Sequence, residues 1–244
     1  MRNVATIARR ELMATFLSPV AYIVLAAFLV LSGYLFYSGL VRFHRATVEP
    51  ATHMMGFLLM LMAPMLTMRL FAQEFSSGTI EMLMTAPVTA FEVVLGKYLA
   101  SLLFLLVLLA PTLAYPAVLF WLGEPDPGPI VAGYLGLVLL GAFLLGVGMV
   151  ASACTRAQIS AAILTFVVVL SLWLVDFLVP PGSSGWAARA LRYLSFWGHY
   201  FGSPGGSQSF VGGVVDTRDA VYFLSCSAFC VFLTTVIVSA RKWR

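Results

Sequence analysis

Segment 73–97, QEFSSGTIEMLMTAPVTAFEVVLGK, contains most of the residues that are candidates for a functional site. The segment is too short for a catalytic domain. Gly78 nevertheless predicts a turn, residues 79–84 a helix of about two turns, and Pro87 the end of that helix. Apolar side chains at a loop tip need a partner, and those in this loop are Ile80, Met82, Leu83 and Met84. The pattern favours noncovalent docking onto a partner outside the membrane, with an ordinary well-capped loop as the alternative.

A second helix is predicted at the end of the same segment. Thr89 and Glu92 have the spacing of a capping box, in which each residue satisfies the backbone of the other. We therefore expect the next helix to begin near Ala90, ahead of the apolar run that follows. Lys97 would then lie at the membrane interface.

Catalytic chemistry finds no support in the sequence. Gly96 and Lys97 lack the earlier glycine of a phosphate-binding loop, and Tyr98 stands where Ser or Thr is required, so no nucleotide site is expected. Histidine and cysteine residues show no metal-ligand spacing, and no nucleophile lies beside a base. Asp176 is the one acid near an apolar run, and its position at the outer end favours simple solvation. We predict no catalytic residue and no metal site.

The composition indicates a membrane protein. Hydrophobic residues make up 61% of the chain and charged residues 10%, against about 45–50% and about 25% in soluble domains. Six charge-poor runs can each supply the roughly 20 residues that cross a bilayer. We predict an all-α protein with transmembrane helices at 19–41, 50–71, 98–122, 130–154, 158–179 and 220–240. The single domain, 1–244, would also contain a leader (1–18), the loop 73–97 and an outer loop (180–219).

Lysine and arginine placement predicts the orientation. If both termini are cytoplasmic, most of the 14 Lys and Arg residues lie inside, and both tails and every inner loop carry at least one. The net charge of +4 then reflects membrane topology and does not indicate nucleic-acid binding.

The leader and the first span are separated by a helix-start pattern, Ser18 followed by Pro19. Residues 2–17 look helical, but Glu11 falls on their apolar face. An interfacial helix and a plain basic leader therefore both stay open. Three prolines inside predicted spans favour kinks, either as hinges or as tolerated bends; they are Pro64, Pro111 and Pro116.

The fourth span is rich in small residues spaced four apart, which lets helix backbones approach closely. These residues are Ala142, Gly146, Gly148 and Ser152. The spacing predicts close packing, either within the subunit or across a dimer. The inner connection that follows is short, and its polar residues are Thr155, Arg156 and Gln158.

The region 180–219 is the one sizeable outer loop. Its density of Trp and Tyr suits the level of the lipid headgroups, which predicts one or two short helices lying on the outer leaflet. A local charge cluster and helix cap is expected just before the last span, formed by Asp216, Arg218 and Asp219.

Four segments resemble ABC-2-type transporter permease subunits, most closely the gliding-motility GldF-type branch. They are IARRELMATFLSPVAYIVLAAFLVLSGYLF, MRLFAQEFSSGTIEMLMTAPVTAFEVVLGKYLA, TRAQISAAILTF, and GGVVDTRDAVYFLS with the terminal RKW. The pattern E-x-x-x-G-T-I-E-x-L-x-x-x-P in the second segment is typical of ABC-2 permeases, and DTRDAVYFLS is similar to the narrower branch.

The resemblance implies an ABC-2, type V exporter-like subunit in a bacterial inner membrane. It implies two separate ATPase subunits that bind ATP and Mg²⁺, with no cofactor on this chain, and a second membrane subunit, GldG-like or another copy. The leader would be a connecting helix, and re-entrant helices would map onto about 181–215. The ATPase-coupling helix would be marked by Glu74, Gly78, Thr79, Ile80, Glu81, Leu83 and Pro87. The start of helix three would be marked by Thr89, Glu92, Gly96 and Lys97.

Two functions stay open at this point. One is an exporter permease that couples ATP hydrolysis to movement of a substrate, with a link to gliding motility. The other is a mechanotransmission or scaffold subunit that moves no small solute and acts on a periplasmic partner protein, because the apolar spans offer no obvious polar path. An intramembrane enzyme is disfavoured, since no catalytic group is present.

Overall fold

The computed structural model describes residues 2–43, 47–78, 88–179, 185–202 and 210–241, all in helices and their connections. The helices are α1 (Arg2–Leu17), α2 (Pro19–Phe43), α3 (Glu49–Thr67), α4 (Ala72–Ser77), α5 (Ala90–Leu109), α6 (Ala114–Leu122), α7 (Pro127–Cys154), α8 (Gln158–Leu178), α9 (Trp186–Leu194), α10 (Phe196–Phe201) and α11 (Thr217–Arg241). Within these residues, six helical stretches are long and apolar enough to cross a membrane. The predicted all-α architecture with six spans is confirmed.

The bundle has two ends. The end that holds α1, α4, the start of α5 and the end of α7 is called the terminal face, and the opposite end, with α9 and α10, the far face. Because six spans follow one another, both chain termini belong to the terminal face.

The third span bends at a short 3-10 segment, Ala110–Leu113, that joins α5 to α6. Pro111 lies in this segment and supplies no backbone N–H. Two side chains occupy carbonyls at the bend: Thr112 Oγ1 donates to Leu109 O at 2.6 Å, and Tyr134 of α7 donates to Thr112 O at 2.7 Å. The predicted kink is therefore present, and a neighbouring helix holds it in place.

Within the second span, Glu49–Ser77, α3 ends at Thr67 and residues 68–71 form a turn before α4. Ser152 of α7 stabilises this turn. Its Oγ accepts hydrogen bonds from the N–H groups of Phe71 (3.0 Å) and Ala72 (3.1 Å) and donates to Met68 O (3.2 Å). Backbone groups that a continuous helix would pair internally are satisfied here by one hydroxyl.

The small residues of α7 pack against helices of the same chain. A Cβ on Gly146 would lie 3.1 Å from Cys230 Cβ of α11, and one on Gly148 would lie 2.7 Å from Thr67 Cγ2 of α3. Ala142 is buried, and its carbonyl accepts a hydrogen bond from the Tyr98 hydroxyl at 3.0 Å. Of the two alternatives for this stripe, the structure shows packing within the subunit.

On the far face, one side of α10 packs into the bundle. The side chains of Phe196 and Tyr200 are completely buried. Tyr200 donates to Thr52 O of α3 at 2.9 Å, and its ring occupies space left by Gly56 and Gly136. Two glycines on neighbouring helices thus provide a pocket for the Tyr200 ring, which the aromatic composition of the segment did not indicate.

The expected charge cluster before the last span is only partly present. Asp216 Oδ1 accepts from Arg218 N at 2.9 Å, so the predicted cap exists, and α11 begins at Thr217, earlier than predicted. Asp219 pairs with His199 of α10, Nδ1 to Oδ1 2.6 Å. Among the described residues no ion pair joins Arg218 to either aspartate. Asp219 thus connects α11 to α10 through His199 and does not form an ion pair with Arg218.

We predict opposite effects for one substitution at two glycines. Gly148→Ala should lower the unfolding temperature in detergent, since the added methyl meets the Thr67 side chain and overpacking costs about 1–3 kcal/mol. Gly198→Ala in α10 is the matched control: nothing lies within 4 Å of the new Cβ, and alanine favours a helix over glycine. Its unfolding temperature should stay equal or rise. Equal unfolding temperatures for the two variants would contradict the packing assigned to Gly148.

Candidate functional site

The most unusual residue of the terminal face is Lys97, whose side chain is 2% exposed. Its Nζ lies 2.8 Å from Glu74 Oε1 of α4 and 3.3 Å from Glu11 Oε1 of α1. The ammonium also lies 5.3 Å from the centroid of the Phe71 ring, within the range of a cation–π contact. Lys97 therefore joins α1, α4 and α5, and we call this group the ionic junction. The Lys97 side chain lies inside the protein, and its position at the level of the membrane interface stays a prediction.

Helix α1 reaches the ionic junction because Gly96 has no side chain. A Cβ there would lie 2.8 Å from Ile7 Cγ2 and 3.2 Å from Val4 O. Nearer the start of α5, Asn3 Nδ2 donates to Glu92 Oε1 at 3.4 Å. The leader thus packs along the first turns of α5. Glu11, which interrupts the apolar face of α1, does so because Lys97 lies opposite it.

Helix α4 carries the second carboxylate. The turn stabilised by Ser152 sets the position of α4, and α4 ends at Gly78 with a left-handed φ of 72°. This is the turn that the sequence predicted at Gly78. Glu74 Oε2 is buried and has no hydrogen-bond partner among the described residues, so this carboxylate keeps one acceptor free beside the loop that follows.

The other end of that loop is held by the capping box at the start of α5, which is present as predicted. Thr89 N donates to Glu92 Oε2 at 3.0 Å, and Glu92 N donates to Thr89 Oγ1 at 3.2 Å. Helix α5 begins at Ala90. The remaining predicted coupling residues lie outside the described part of the chain; they are Thr79, Ile80, Glu81, Leu83 and Pro87.

The connection between α7 and α8 also lies on the terminal face but does not join the ionic junction. Thr155 Oγ1 donates to Ala151 O at 3.3 Å, Arg156 is exposed, and Gln158 begins α8. In the described residues no hydrogen bond or ion pair connects these three to Lys97. The sequence analysis placed Glu74 and Lys97 in one segment, 73–97, but predicted no ion pair between them. It also missed Glu11 as a partner, for which its position on an apolar face was the available indication.

The terminal face thus combines a buried ion-pair group with the two described ends of the loop 79–87. A family model described as an ABC-2 family transporter protein matches residues 5–191, which is more than half of the chain. The chain belongs to the ABC-2 transporter family. No curated protein matches the sequence.

The ABC-2 match begins within α1, covers all the residues of the ionic junction and the spans up to α8, and ends within α9. Membrane components of this family generally partner with an ABC ATPase. In this ABC-2 protein, two of the three helices joined by Lys97, α4 and α5, precede and follow the loop 79–87 along the chain. The match is to the family as a whole, and the DTRDAVYFLS segment lies beyond it.

Removing the cation should expose how strongly the ionic junction is coupled. Lys97→Met leaves Glu74 without a cation and Glu11 with Arg10 alone, which should cost about 3 kcal/mol, the lower end for a broken buried pair, because both acids retain some solvent contact. Adding Glu74→Gln should recover part of the loss, since it removes one unpaired charge. Thermal unfolding in detergent, followed by circular dichroism, measures both.

Arg156→Met is the control for that experiment, because Arg156 is an exposed cation on the same face. It should unfold at the wild-type temperature. A double variant less stable than Lys97→Met alone would show that Glu74 and Lys97 do not act as a pair.

Proposed function

We propose that this chain is the membrane-spanning permease subunit of an ATP-driven ABC-2 complex, and that the ionic junction carries movement of a separate ATPase into the membrane helices. The observation that carries the proposal is the buried Lys97, which binds Glu11 of α1 and Glu74 of α4 from its place on α5. A buried cation with two acidic partners resists separation of the helices that supply them. A push on any one of the three helices therefore moves the others.

Both ends of the loop 79–87 are fixed to this unit. On one side α4 is held by Glu74 and by the Ser152 hydrogen bonds to its first turn. On the other side the capping box of Thr89 and Glu92 ends the loop directly on α5. A force applied to the loop thus reaches α3, α5 and α7 without first being absorbed by flexible connections. This is the arrangement that a coupling helix within 79–87 requires.

In this proposal the terminal face is cytoplasmic, as the distribution of basic residues predicts. Closure of two ATP-binding cassettes would push the coupling loops, and the spans would move as rigid bodies. ATP and Mg²⁺ would be bound by the ATPase subunits, and this chain would contribute no nucleotide site.

A second membrane subunit is part of the proposal. In the most apolar stretches of α2 and α8, only 22% and 17% of the residues are buried within the chain. The outer faces of these helices therefore remain available to lipid or to another subunit. That subunit would be a second copy or a GldG-like partner. The assignment to the gliding-motility branch and to a bacterial inner membrane rests on the four segments of sequence and is proposed on that basis.

The coupling role can be tested at the end of α4. Gly78→Val places a β-branched residue in a left-handed conformation, which costs about 1–2 kcal/mol, while nothing lies within 4 Å of the new Cβ. The variant should fold but redirect the loop. We expect the cognate ATPase, purified with this subunit, to lose its stimulation several-fold.

Gly185→Val is the matched control, since Gly185 has equally open surroundings, a φ of −63° and a place on the far face. Stimulated ATPase activity should be unchanged by it. Equal stimulation by the wild type and Gly78→Val, with complex assembly intact, would contradict the coupling role of this loop.

A second candidate, a mechanotransmission subunit, is favoured by the nature of the buried polar groups. In the described spans these are mostly small hydroxyls bonded to their own helix: Thr67 to Ala63 O, Thr165 to Ala161 O and Thr234 to Cys230 O, each at 2.8 Å. Such groups leave little for a polar solute to bind within this chain. ATP hydrolysis would then act on a periplasmic partner protein.

The two candidates differ in what should stimulate the reconstituted complex. For an exporter, a lipid or glycan substrate should raise ATP hydrolysis in liposomes and appear on the opposite side of the bilayer. For a mechanotransmission subunit, only an outer partner protein should raise hydrolysis, with no transfer of lipid or glycan. Transfer of either substrate would exclude the mechanotransmission role.

A further inference from the structure

A cavity of about 230 Å³ lies between α1, α2 and α3 at the terminal face. Its polar end is lined by Glu11, Thr15, Ser18, Arg69 and Gln73. Its apolar end is lined by side chains of α2 and α3, among them Val24 and Met65. The cavity therefore has two chemically different ends, and it can hold a group several times larger than a water molecule, whose share of liquid volume is about 30 Å³.

The polar end contains an arginine whose hydrogen-bonding capacity is only partly used. Arg69 Nη1 donates to Ser18 Oγ at 2.7 Å. Its Nε is buried and has no hydrogen-bond partner among the described residues. A guanidinium presents its N–H groups as a planar fork that matches two oxygens of a phosphate. Arg69 lines the cavity, and the terminal nitrogens of its guanidinium are the donors that an anionic oxygen there would meet.

The first turn of α2 adds positive potential to the same end. Helix α2 begins at Pro19, directly after Ser18, and runs for 25 residues. Pro19 has no N–H, and the Ala21 N–H already donates to Ser18 O at 3.1 Å, so the contribution of this turn is the helix dipole, which favours an anion near the helix start. Arg69 and the start of α2 therefore act on the same volume.

Glu11 also lines the cavity, but its charge is already compensated. Its Oε1 lies 3.0 Å from Arg10 Nη2 and 3.3 Å from Lys97 Nζ. Arg69 has no ion-pair partner in the described chain. The local balance around the polar end is thus positive.

The apolar end extends from this site into the membrane-spanning part. Val24 lies six residues beyond Ser18 along α2, and Met65 four residues before Arg69 along α3. At 1.5 Å per residue these positions are about 9 Å and about 6 Å deeper in the bundle. A ligand that fills the whole cavity must carry an anionic group at one end and hydrocarbon at the other.

We propose that this cavity binds an anionic phospholipid, with the phosphate on Arg69 and Ser18 and the start of an acyl chain along Val24 and Met65. Basic pockets between membrane helices suit such headgroups. The bound lipid would fill the elbow between α1 and α2, beside the ionic junction that contains Glu11. This proposal concerns lipid binding alone and does not depend on the coupling role.

The test uses the full chain purified in detergent, with native mass spectrometry to count bound lipid during titration with phosphatidylglycerol. Arg69→Gln should weaken binding about tenfold, the size of a lost hydrogen bond to a charged group. Ser18→Ala, a smaller change that preserves the charge of the site, should weaken binding about fivefold or less. Arg156→Gln, an exposed cation on the same face, should bind as the wild type does.

Two further ligands separate the sources of phosphate. Phosphatidylcholine, which has the same phosphate and chains but no net charge, should bind more weakly, and Arg69→Gln should reduce the difference between the two lipids. Glycerol 3-phosphate should fail to displace phosphatidylglycerol at equal concentration. Displacement by it would assign the pocket to a soluble phosphate ester and overturn the lipid. Equal phosphatidylglycerol binding by the wild type and by monodisperse, folded Arg69→Gln would overturn the site.

Discussion

An ammonium group withdrawn from water has to be surrounded by opposite charge, and at Lys97 this requirement determines where three helices meet. Desolvating a charge costs several kcal/mol unless partners lie close by. Here the partners are Glu74 and Glu11, at 2.8 and 3.3 Å, with the Phe71 ring on a further side. The packing of the leader, the position of α4 and the start of the third span all satisfy this single group.

The neighbouring residues make that arrangement sterically feasible. Gly96 lets Ile7 approach α5. Ser152 supplies the hydrogen bonds that stabilise the turn between the end of α3 and the start of α4. Gly148 brings α3 against α7 just above the turn. A lysine, two glycines and one hydroxyl thus produce a rigid base from which the loop 79–87 extends. In the proposed function, that is the region through which a partner ATPase would act on the spans.

The proposed lipid site lies beside this base and shares Glu11 with it. Lys97 and Arg10 occupy the Glu11 carboxylate, so Arg69 remains the uncompensated cation of the cavity. Any rotation of α1 that moved Glu11 away from Lys97 would also change the charge facing Arg69. Lipid at the elbow and force at the loop would then act on the same helix, which links the membrane surface to the ionic junction by direct contact.

Six spans, the helix start at Ala90 with its capping box, the Gly78 turn and the family could all be predicted from the amino-acid sequence. These features depend on hydropathy and backbone chemistry among residues close together along the chain. The sequence could not decide whether the α7 stripe packs within the subunit, that Tyr200 enters the bundle, or that Glu11 pairs with Lys97. Those contacts join residues far apart in sequence, 86 positions for Glu11 and Lys97. They become visible in the tertiary structure, because a charged side chain on an apolar helix face destabilises the packing unless an opposite charge from another helix lies against it.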